Sequence, residues 1–280
     1  MMDKLDKNSP GQQNEKGDLY IIKIGGNVID NSENLHNFLK DFTALKGNKI
    51  LVHGGGKVAT QLSETLGIEP KMVEGRRITD IETLRVVTMV YGGLINKNIV
   101  AQLQKFGTNA IGLTGADGNF IRTKKRPVKT IDYGFVGDID ETSIDNTNIK
   151  RLMDGGFTPV FCAITHDGDG QLLNTNADTI ASALAVSLVK LYDTTLIYCF
   201  EKSGVLKDIN DEDSLITDID PQYYEELKKQ QIIHSGMLPK LDNAFTAITC
   251  GVKAVIIGHA NNLGVLNENK NFGTRLSKNA

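Results

Sequence analysis

No stretch of this 280-residue chain approaches the roughly 18 consecutive apolar residues that a membrane-spanning helix needs. Cysteine is scarce. Cys162, Cys199 and Cys250 lie far apart and without C-x-x-C spacing, which argues against a disulfide framework. Cys162 and Cys199 fall in apolar, strand-like runs and Cys250 ends a helical pattern. All three are therefore expected as buried, reduced thiols, in keeping with a cytoplasmic chain. Charge of one sign is missing too: a net charge of −3 gives no ground for nucleic acid or an anionic membrane as the main partner. The five histidines, His36, His53, His166, His234 and His259, show no metal-ligand spacing. The turn "DGDGQ" breaks the calcium-loop pattern at its third ligand and lacks the distal glutamate, and neither a G-x-S-x-G elbow nor an H-R-D loop occurs. Residues 1–17 are polar, without the apolar core of a signal peptide, and read as a disordered tail.

What is present is the material of an ordinary globular protein, 40% hydrophobic and 23% charged, and long enough for one large α/β domain or two lobes. Short apolar runs alternate with helical patterns. The strand-like "LYIIKI" precedes "SENLHNFLKDFTALKG", in which Leu35, Phe38, Leu39 and Phe42 share one helical face. "KILVHGGG" gives a second strand, followed by a helix from Lys57 to Leu66. This rhythm predicts a mainly parallel open sheet with helices on both faces, a three-layer αβα sandwich. Small hairpins interrupt it: "KMVEGRRIT" bends at Gly75, 117–139 forms a β excursion, and "HDGDGQLLN" a further hairpin. A long helical segment from Ile81 to Phe106 is interrupted by Gly92-Gly93, a pair that signals a kink or close packing and is read here as a subunit contact. The strand "TPVFCAIT", a helix from about Asn176 to Lys190, the strand "TTLIYCF", helices near 220–233 and 238–250, and the strand "KAVIIGH" continue the pattern. No repeat or low-complexity linker divides it, so any two lobes share one continuous sheet.

Glycine-rich turns follow the first two strands. Gly54-Gly55-Gly56-Lys57-Val58-Ala59 formally matches the G-x-G-x-x-A dinucleotide fingerprint, with Glu74 and Asp80 about 20 residues on. An NAD(P)-binding oxidoreductase is thus one reading. Against it, that fingerprint usually opens its domain, whereas here the strand end Lys23-Ile24-Gly25-Gly26 comes first. Such turns bind any anion through exposed N–H groups and the helix dipole. Lys23 alone reads as a strand-end charge reaching solvent. Ligands of open α/β sheets bind beyond the carboxyl ends of the strands, however, and adjacent strands would bring Lys23 and both turns to one crevice. In "LLNTNAD", Asn174 and Asn176 point the same way if extended. Asn176 can cap the next helix and Asp178 falls in its first turn, which accounts for both but not for Asn174. Lys240 lies in the first turns of a helix, where the dipole disfavours a cation unless an anion is near. Arg77 can clamp a carboxylate bidentately, while Arg76 points to the opposite, solvated face. The basic run "RTKKRPVKT" lacks interleaved aromatics and reads as a solvated hairpin.

Taken in order, "KIGG", "HGGG", "RRIT", "LLNTNAD", "SGMLPK" and "GTRL" resemble the amino-acid kinase family, from about residue 19 to 277. The resemblance implies ATP-dependent phosphorylation of the side-chain carboxylate of an N-acylated glutamate, as in arginine biosynthesis. The acyl group is left open between acetyl, the family default, and a longer one such as succinyl. The likeness casts Lys23 and Lys240 as the lysines stabilising the transferring phosphoryl group, and Asp178 as the carboxylate that holds them. Gly25 and Gly26 would contact the ATP phosphates, and Gly55 and Gly56 the phosphoryl group and the substrate side. Arg77, Asn174 and Asn176 would hold the acyl-glutamate, and Ser203, Gly204, Leu206 and Lys207 would lie near the nucleotide. It further implies an amino-acid lobe over 18–177 and a nucleotide lobe over 178–280, with Mg²⁺ carried by the ATP phosphates rather than by a protein metal site. A carboxylate nucleophile, with a reference pKa of about 4.3, needs no general base. Catalysis then reduces to positioning and charge stabilisation. Glu201 departs from the family, which carries aspartate at that place. The N-terminus lacks the apolar helix of arginine-inhibited hexameric relatives, which implies a homodimer without arginine feedback. Family members acting on glutamate, aspartate, carbamate or a nucleotide, and a non-catalytic ligand sensor, are the alternatives.

Overall fold

Leu19, Ile21, Ile22 and Ile24 are all fully buried, and a strand with both faces covered belongs in the middle of a sheet. The computed structural model, which describes residues 16–73, 75–233, 237–268 and 272–279, has it there. The chain runs through β1 (Asp18–Ile24), α1 (Gly26–Asp30), α2 (Ser32–Ala44), β2 (Asn48–His53), α3 (Gly56–Thr65) and the hairpin of β3 (Met72–Val73) and β4 (Arg76–Arg77). Next come α4 (Ile81–Val87), a π-helical segment (Thr88–Ile95), α5 (Asn96–Lys105), β5 (Ala110–Leu113), β6 (Lys124–Lys125) and β7 (Gly137–Asp138). The middle holds α6 (Asn146–Asp154), β8 (Thr158–Cys162), β9 (Ile164–His166), β10 (Leu172–Asn174), α7 (Ala177–Leu188) and β11 (Asp193–Phe200). The remainder is β12 (Val205–Leu206), β13 (Leu215–Ile216), β14 (Asp218–Ile219), α8 (Pro221–Lys229), α9 (Leu238–Thr249), β15 (Ala254–His259), a 3-10 stretch (Ala260–Glu268) and β16 (Thr274–Leu276).

Eight strands form one sheet in the order β14-β16-β15-β11-β1-β2-β8-β5. From β5 to β15 all neighbours are parallel, and the reversal comes at β16, antiparallel to β15. The mainly parallel open sheet expected from the apolar rhythm is therefore present. One layer over it contains α2, α5 and the 3-10 stretch, and another α6, α7 and α9. In α2, Leu35, Phe38, Leu39 and Phe42 are buried as the periodicity predicts. Each contributes about 1.5–3 kcal/mol relative to remaining exposed.

Side chains start most helices. Asn31 Oδ1 accepts from the N–H groups of Glu33 and Asn34, and Asp80, Asp145, Asn176 and Asp220 cap α4, α6, α7 and α8 in the same way. The helices after β1 and β2 differ: Gly25 and Gly55 stand at their N-caps and supply no side-chain acceptor. Two uncapped turns thus sit side by side at the carboxyl ends of adjacent strands.

The structure departs from the sequence reading at several points. Cys162 and Cys199 are buried, but Cys250 is exposed. It closes α9 where the chain turns into Gly251, and Ala247 and Ile248 take the buried face instead. Gly92-Gly93 does not break its helix but lies inside the π-helical segment, where a Cβ on Gly92 would touch Thr114 and one on Gly93 would meet open space. "TPVFCAIT" is not one strand, because the chain leaves the sheet at Ala163 and pairs β9 with β10. Within the expected tail, Lys16 donates to the Val189 carbonyl at 2.8 Å, while residues 1–15 lie outside the described residues, as do Glu74 and the Ser235-Gly236 of "SGMLPK". Among the described residues no helix is long and apolar enough to cross a membrane.

Candidate active site

The parallel order β11-β1-β2 brings Phe200, Lys23 and His53 to neighbouring strand ends. Lys23 is only 9% exposed, and its Nζ lies 2.8 Å from Oδ1 of Asp178, in the first turn of α7. The contact is an ion pair without hydrogen-bond alignment. Lys240 approaches from the first turn of α9, its Nζ 3.8 Å from the centroid of the Phe200 ring, over which Lys23 Nζ also stands at 5.5 Å. Burial pushes the Lys240 pKa below the ordinary lysine value, Asp178 opposes this, and the charge of Lys23 adds to it. Two lysines and one carboxylate are thus held in mutual range, with one positive charge in excess.

The cluster stands between two cavities. One, of about 400 Å³, is lined by Lys23, Gly25, Gly26, Phe200, Glu201, Gly204, Met237 and Lys240. Of the residues expected on the nucleotide side, Gly25, Gly26 and Gly204 therefore converge, and three others do not line this cavity. Ser203 instead donates to Glu212 at 2.6 Å, Leu206 belongs to β12, and the Lys207 N–H donates to the Ser214 carbonyl. Glu201 is exposed at the cavity rim.

The other cavity, of about 350 Å³, is lined by Gly55, Gly56, Arg77, Tyr91, Arg126, Asn174, Asn176 and Asp178 among others. Gly55 has φ +152°, and a Cβ there would come within 2.2 Å of Ile95 Cδ1, so the turn admits only glycine at that place. Arg77, 9% exposed, donates through Nη2 to the Gly56 carbonyl at 2.9 Å and to Thr60 Oγ1 at 2.7 Å. Its Nη1 is buried without a partner, which leaves a donor in need of an acceptor. Asn174 donates to Thr79 Oγ1 at 3.0 Å, and Asn176 accepts from the N–H groups of Asp178 and Thr179 as the α7 cap. Arg76 is exposed, as expected, although it also borders this cavity.

Sequence reasoning missed Arg126, which it assigned to a solvated hairpin. Its side chain is only 21% exposed, paired with Asp138 at 2.6 Å, with its guanidinium 5.0 Å from the Tyr133 ring. The signal lay outside the basic run: Tyr133 and Phe135, on the returning arm of the excursion, stack under Arg126 and Lys125. Tyr91 was also missed, because a lone tyrosine in an apolar helix carries no pattern of its own. Of the two acidic residues that the dinucleotide reading needs, Asp80 caps α4 by accepting from the Thr83 N–H at 2.8 Å, and Glu74 lies outside the described residues.

An open α/β sheet whose strand ends hold two cavities on either side of a lysine–carboxylate cluster has its crevices where proteins of this class take their ligands. The Amino acid kinase family profile matches residues 18–259, and the chain belongs to that family. It is 60% identical over 263 residues to an acetylglutamate kinase of Cytophaga hutchinsonii, covering 93% of this chain and 99% of the relative. An acetylglutamate kinase of Phocaeicola vulgatus is 54% identical over 263 residues, covering 94% and 100%. Among solved structures, smu.665 from Streptococcus mutans is 26% identical with a TM-score of 0.73, covering 93% of this chain and 99% of its own. An N-acetylglutamate synthase from Neisseria gonorrhoeae, 20% identical with a TM-score of 0.78, covers 94% of this chain and 60% of its own, and shares the fold.

The placement of Lys240 predicts how it titrates. In protein labelled with ¹³C at lysine Cε, its resonance is expected to titrate below the ordinary lysine range. Asp178→Asn removes the anion that favours the charged form, so the midpoint moves to still lower pH. A midpoint unmoved by that substitution would contradict the electrostatic coupling.

Proposed function

We propose that the protein is an ATP-dependent kinase that phosphorylates the side-chain carboxylate of N-acetyl-L-glutamate, the acyl-phosphate-forming step of arginine biosynthesis. The observation that carries this reading is the Lys23–Asp178–Lys240 cluster standing between the two cavities. MgATP enters the cavity of Gly25, Gly26 and Gly204, and the acyl-glutamate the cavity of Gly55, Gly56, Arg77, Asn174 and Asn176. The acceptor side thus draws mainly on 18–177 and the nucleotide side on 178–280, with Gly25 and Gly26 crossing between them. Magnesium enters as part of the substrate, carried by the phosphate oxygens of ATP.

At neutral pH the acceptor carboxylate is already ionised and needs no base. Its oxygen forms a bond to the γ-phosphorus as the bond from that phosphorus to the bridging oxygen breaks, and ADP leaves with that electron pair. Two anions must approach each other, and this repulsion is the barrier the residues address. A lysine charge about 4 Å from the transferring group contributes about 4 kcal/mol at an effective dielectric of 20, more than a single neutral hydrogen bond. Asp178 keeps Lys23 from folding away into solvent. Arg77 Nη1 meets the α-carboxylate of the acceptor, which supplies the partner that this buried donor lacks.

One observation favours a second acceptor. Arg126 engages Asp138 on the same wall through Nε and Nη2, which leaves its Nη1 to meet an acyl chain that itself ends in a carboxylate, as succinyl does. We also propose a homodimer. Met89 and Leu94, each 54% exposed, flank Gly93 on the π-helical segment, and β5 ends the sheet beside it. Buried free thiols and the need for ATP support a cytoplasmic location, which cell fractionation would test by finding the chain in the soluble fraction.

ADP release and hydroxylamine trapping with N-acetylglutamate, N-succinylglutamate, glutamate and aspartate test the reaction. Hydroxamate is expected with an acyl-glutamate, and its absence with both acyl-glutamates would overturn the reading. Arg126→Ala is expected to weaken use of the succinyl compound more than of the acetyl compound, and equal effects would remove the second acceptor. Lys23→Ala and Lys240→Ala should lower kcat far more than they weaken substrate binding; unchanged turnover would clear that lysine of any role in catalysis. Sedimentation should give a dimer that Leu94→Asp dissociates, and a wild-type monomer or hexamer would refute the dimer.

A further inference from the structure

His53 is fully buried at the end of β2, and both of its ring nitrogens are engaged. Nδ1 lies 2.8 Å from the Gly54 carbonyl oxygen, and Nε2 lies 3.1 Å from Nδ2 of Asn96, itself 1% exposed. Asn96 Nδ2 is also 2.9 Å from the Val160 carbonyl, which can only accept, so this atom is the amide nitrogen. Lys97 Nζ, 3.2 Å from Asn96 Oδ1 and 2.9 Å from the Gly112 carbonyl, fixes the amide in the same sense. Nε2 must therefore accept from Asn96, and the ring proton resides on Nδ1 and is donated to Gly54. An imidazolium would set two N–H donors against each other. Burial and the charge of Lys97 both oppose it and push the His53 pKa down to about 4, and the Cys162 thiol opposite on β8 stays protonated, pushed up to about 12.

The turn that this proton reaches is unusual in having three glycines in a row, Gly54, Gly55 and Gly56. Without side chains such a turn has wide freedom, and the Gly54–Gly55 peptide plane could face either way. The Gly54 C=O and the Gly55 N–H belong to that one trans plane. Fixing the oxygen toward the His53 ring therefore aims the N–H away from it, on the side of the acceptor cavity that Gly55 lines. A flipped plane would turn a carbonyl oxygen toward the transferring phosphoryl group, replacing a donor by a repelling acceptor.

We propose that His53, braced by Asn96, is a positioning residue whose Nδ1–H locks the Gly54–Gly55 peptide in the orientation that presents the Gly55 N–H to the phosphoryl group. This rests on the kinase reading above. It extends the reading from the residues that touch ligand to a buried pair that touches none, and it links the turn to β8 and β5 through Val160 and Gly112.

Two measurements test it. In ¹⁵N-histidine-labelled wild-type protein, two-bond ¹H–¹⁵N spectra at pH 7 are expected to show a neutral His53 ring protonated at Nδ1 and bare at Nε2, assigned by its loss in His53→Asn. A ring protonated at Nε2 would overturn the proposal whatever the activity. Kinetically, the amide of His53→Asn can still donate to the Gly54 carbonyl but leaves a void, whereas His53→Leu fills the site without a donor; both leave one Asn96 N–H without its acceptor while the other stays on Val160. His53→Asn is expected to melt lower yet keep kcat within about tenfold of wild type, and His53→Leu to lose about a hundredfold, the scale of one missing oxyanion donor, with KM for ATP little changed in both. If kcat instead follows the order of the melting temperatures, His53 is only a packing residue and the proposal fails. Wild-type protein inactive in the hydroxamate assay would sink the kinase reading alone, since the tautomer is read without turnover.

Discussion

The ion pair between Lys23 and Asp178 is the contact on which the arrangement of the site depends. It joins the tip of the central strand to the first turn of the helix packed over that strand, and it does so with Lys23 almost entirely out of water. Desolvating two charges usually costs about as much as their attraction returns, so such a pair is weak support for stability. Its value here is positional. Lys240 comes within range of the same carboxylate from α9, so that one anion orients two cations that would otherwise repel.

The backbone around this cluster follows from the same requirement. A strand that ends in a buried lysine has to lie in the middle of the sheet, and the apolar runs of β1, β2 and β11 put it there. Most helices close their first turns with an aspartate or asparagine side chain. After β1 and β2 glycines stand in that place, and the helix starts are left open toward the two cavities. In the proposed reaction those open N–H groups receive phosphate oxygens, which a capping side chain would exclude. The freedom that three glycines bring to the second turn then has to be removed from outside the turn, and the His53–Asn96 pair is the group in contact with it.

Much of this was legible in the sequence. Short continuous apolar runs and helical patterns predicted the sheet, because strands buried on both faces and one-sided helices leave strong signals. Adjacent strand ends were enough to bring Lys23, Gly25, Gly26, Gly55 and Gly56 together. What escaped depends on partners distant in sequence. Arg126 becomes a wall residue only because Asp138 and Tyr133 return beside it. His53 carries no metal spacing, and its partner Asn96 and the Val160 carbonyl that holds Asn96 lie on a helix and a strand far along the chain. Cys250 was misjudged because helical periodicity does not say on which side a terminal residue emerges. Ser203, Leu206 and Lys207 follow from family likeness alone: the Ser203 hydroxyl donates to Glu212, the Leu206 backbone pairs with Leu215, the Lys207 N–H donates to the Ser214 carbonyl, and none of the three lines the cavity.

The central claim is that one phosphoryl group passes between the two cavities at the lysine cluster. A crystal structure with ADP, magnesium, aluminium fluoride and N-acetylglutamate tests it most directly. The account predicts a fluoroaluminate between the ADP β-phosphate and the acceptor carboxylate, with Lys23 Nζ and Lys240 Nζ each at about 3 Å from its ligands. A fluoroaluminate remote from both lysines, or nucleotide and acyl-glutamate found in a single cavity, would contradict it.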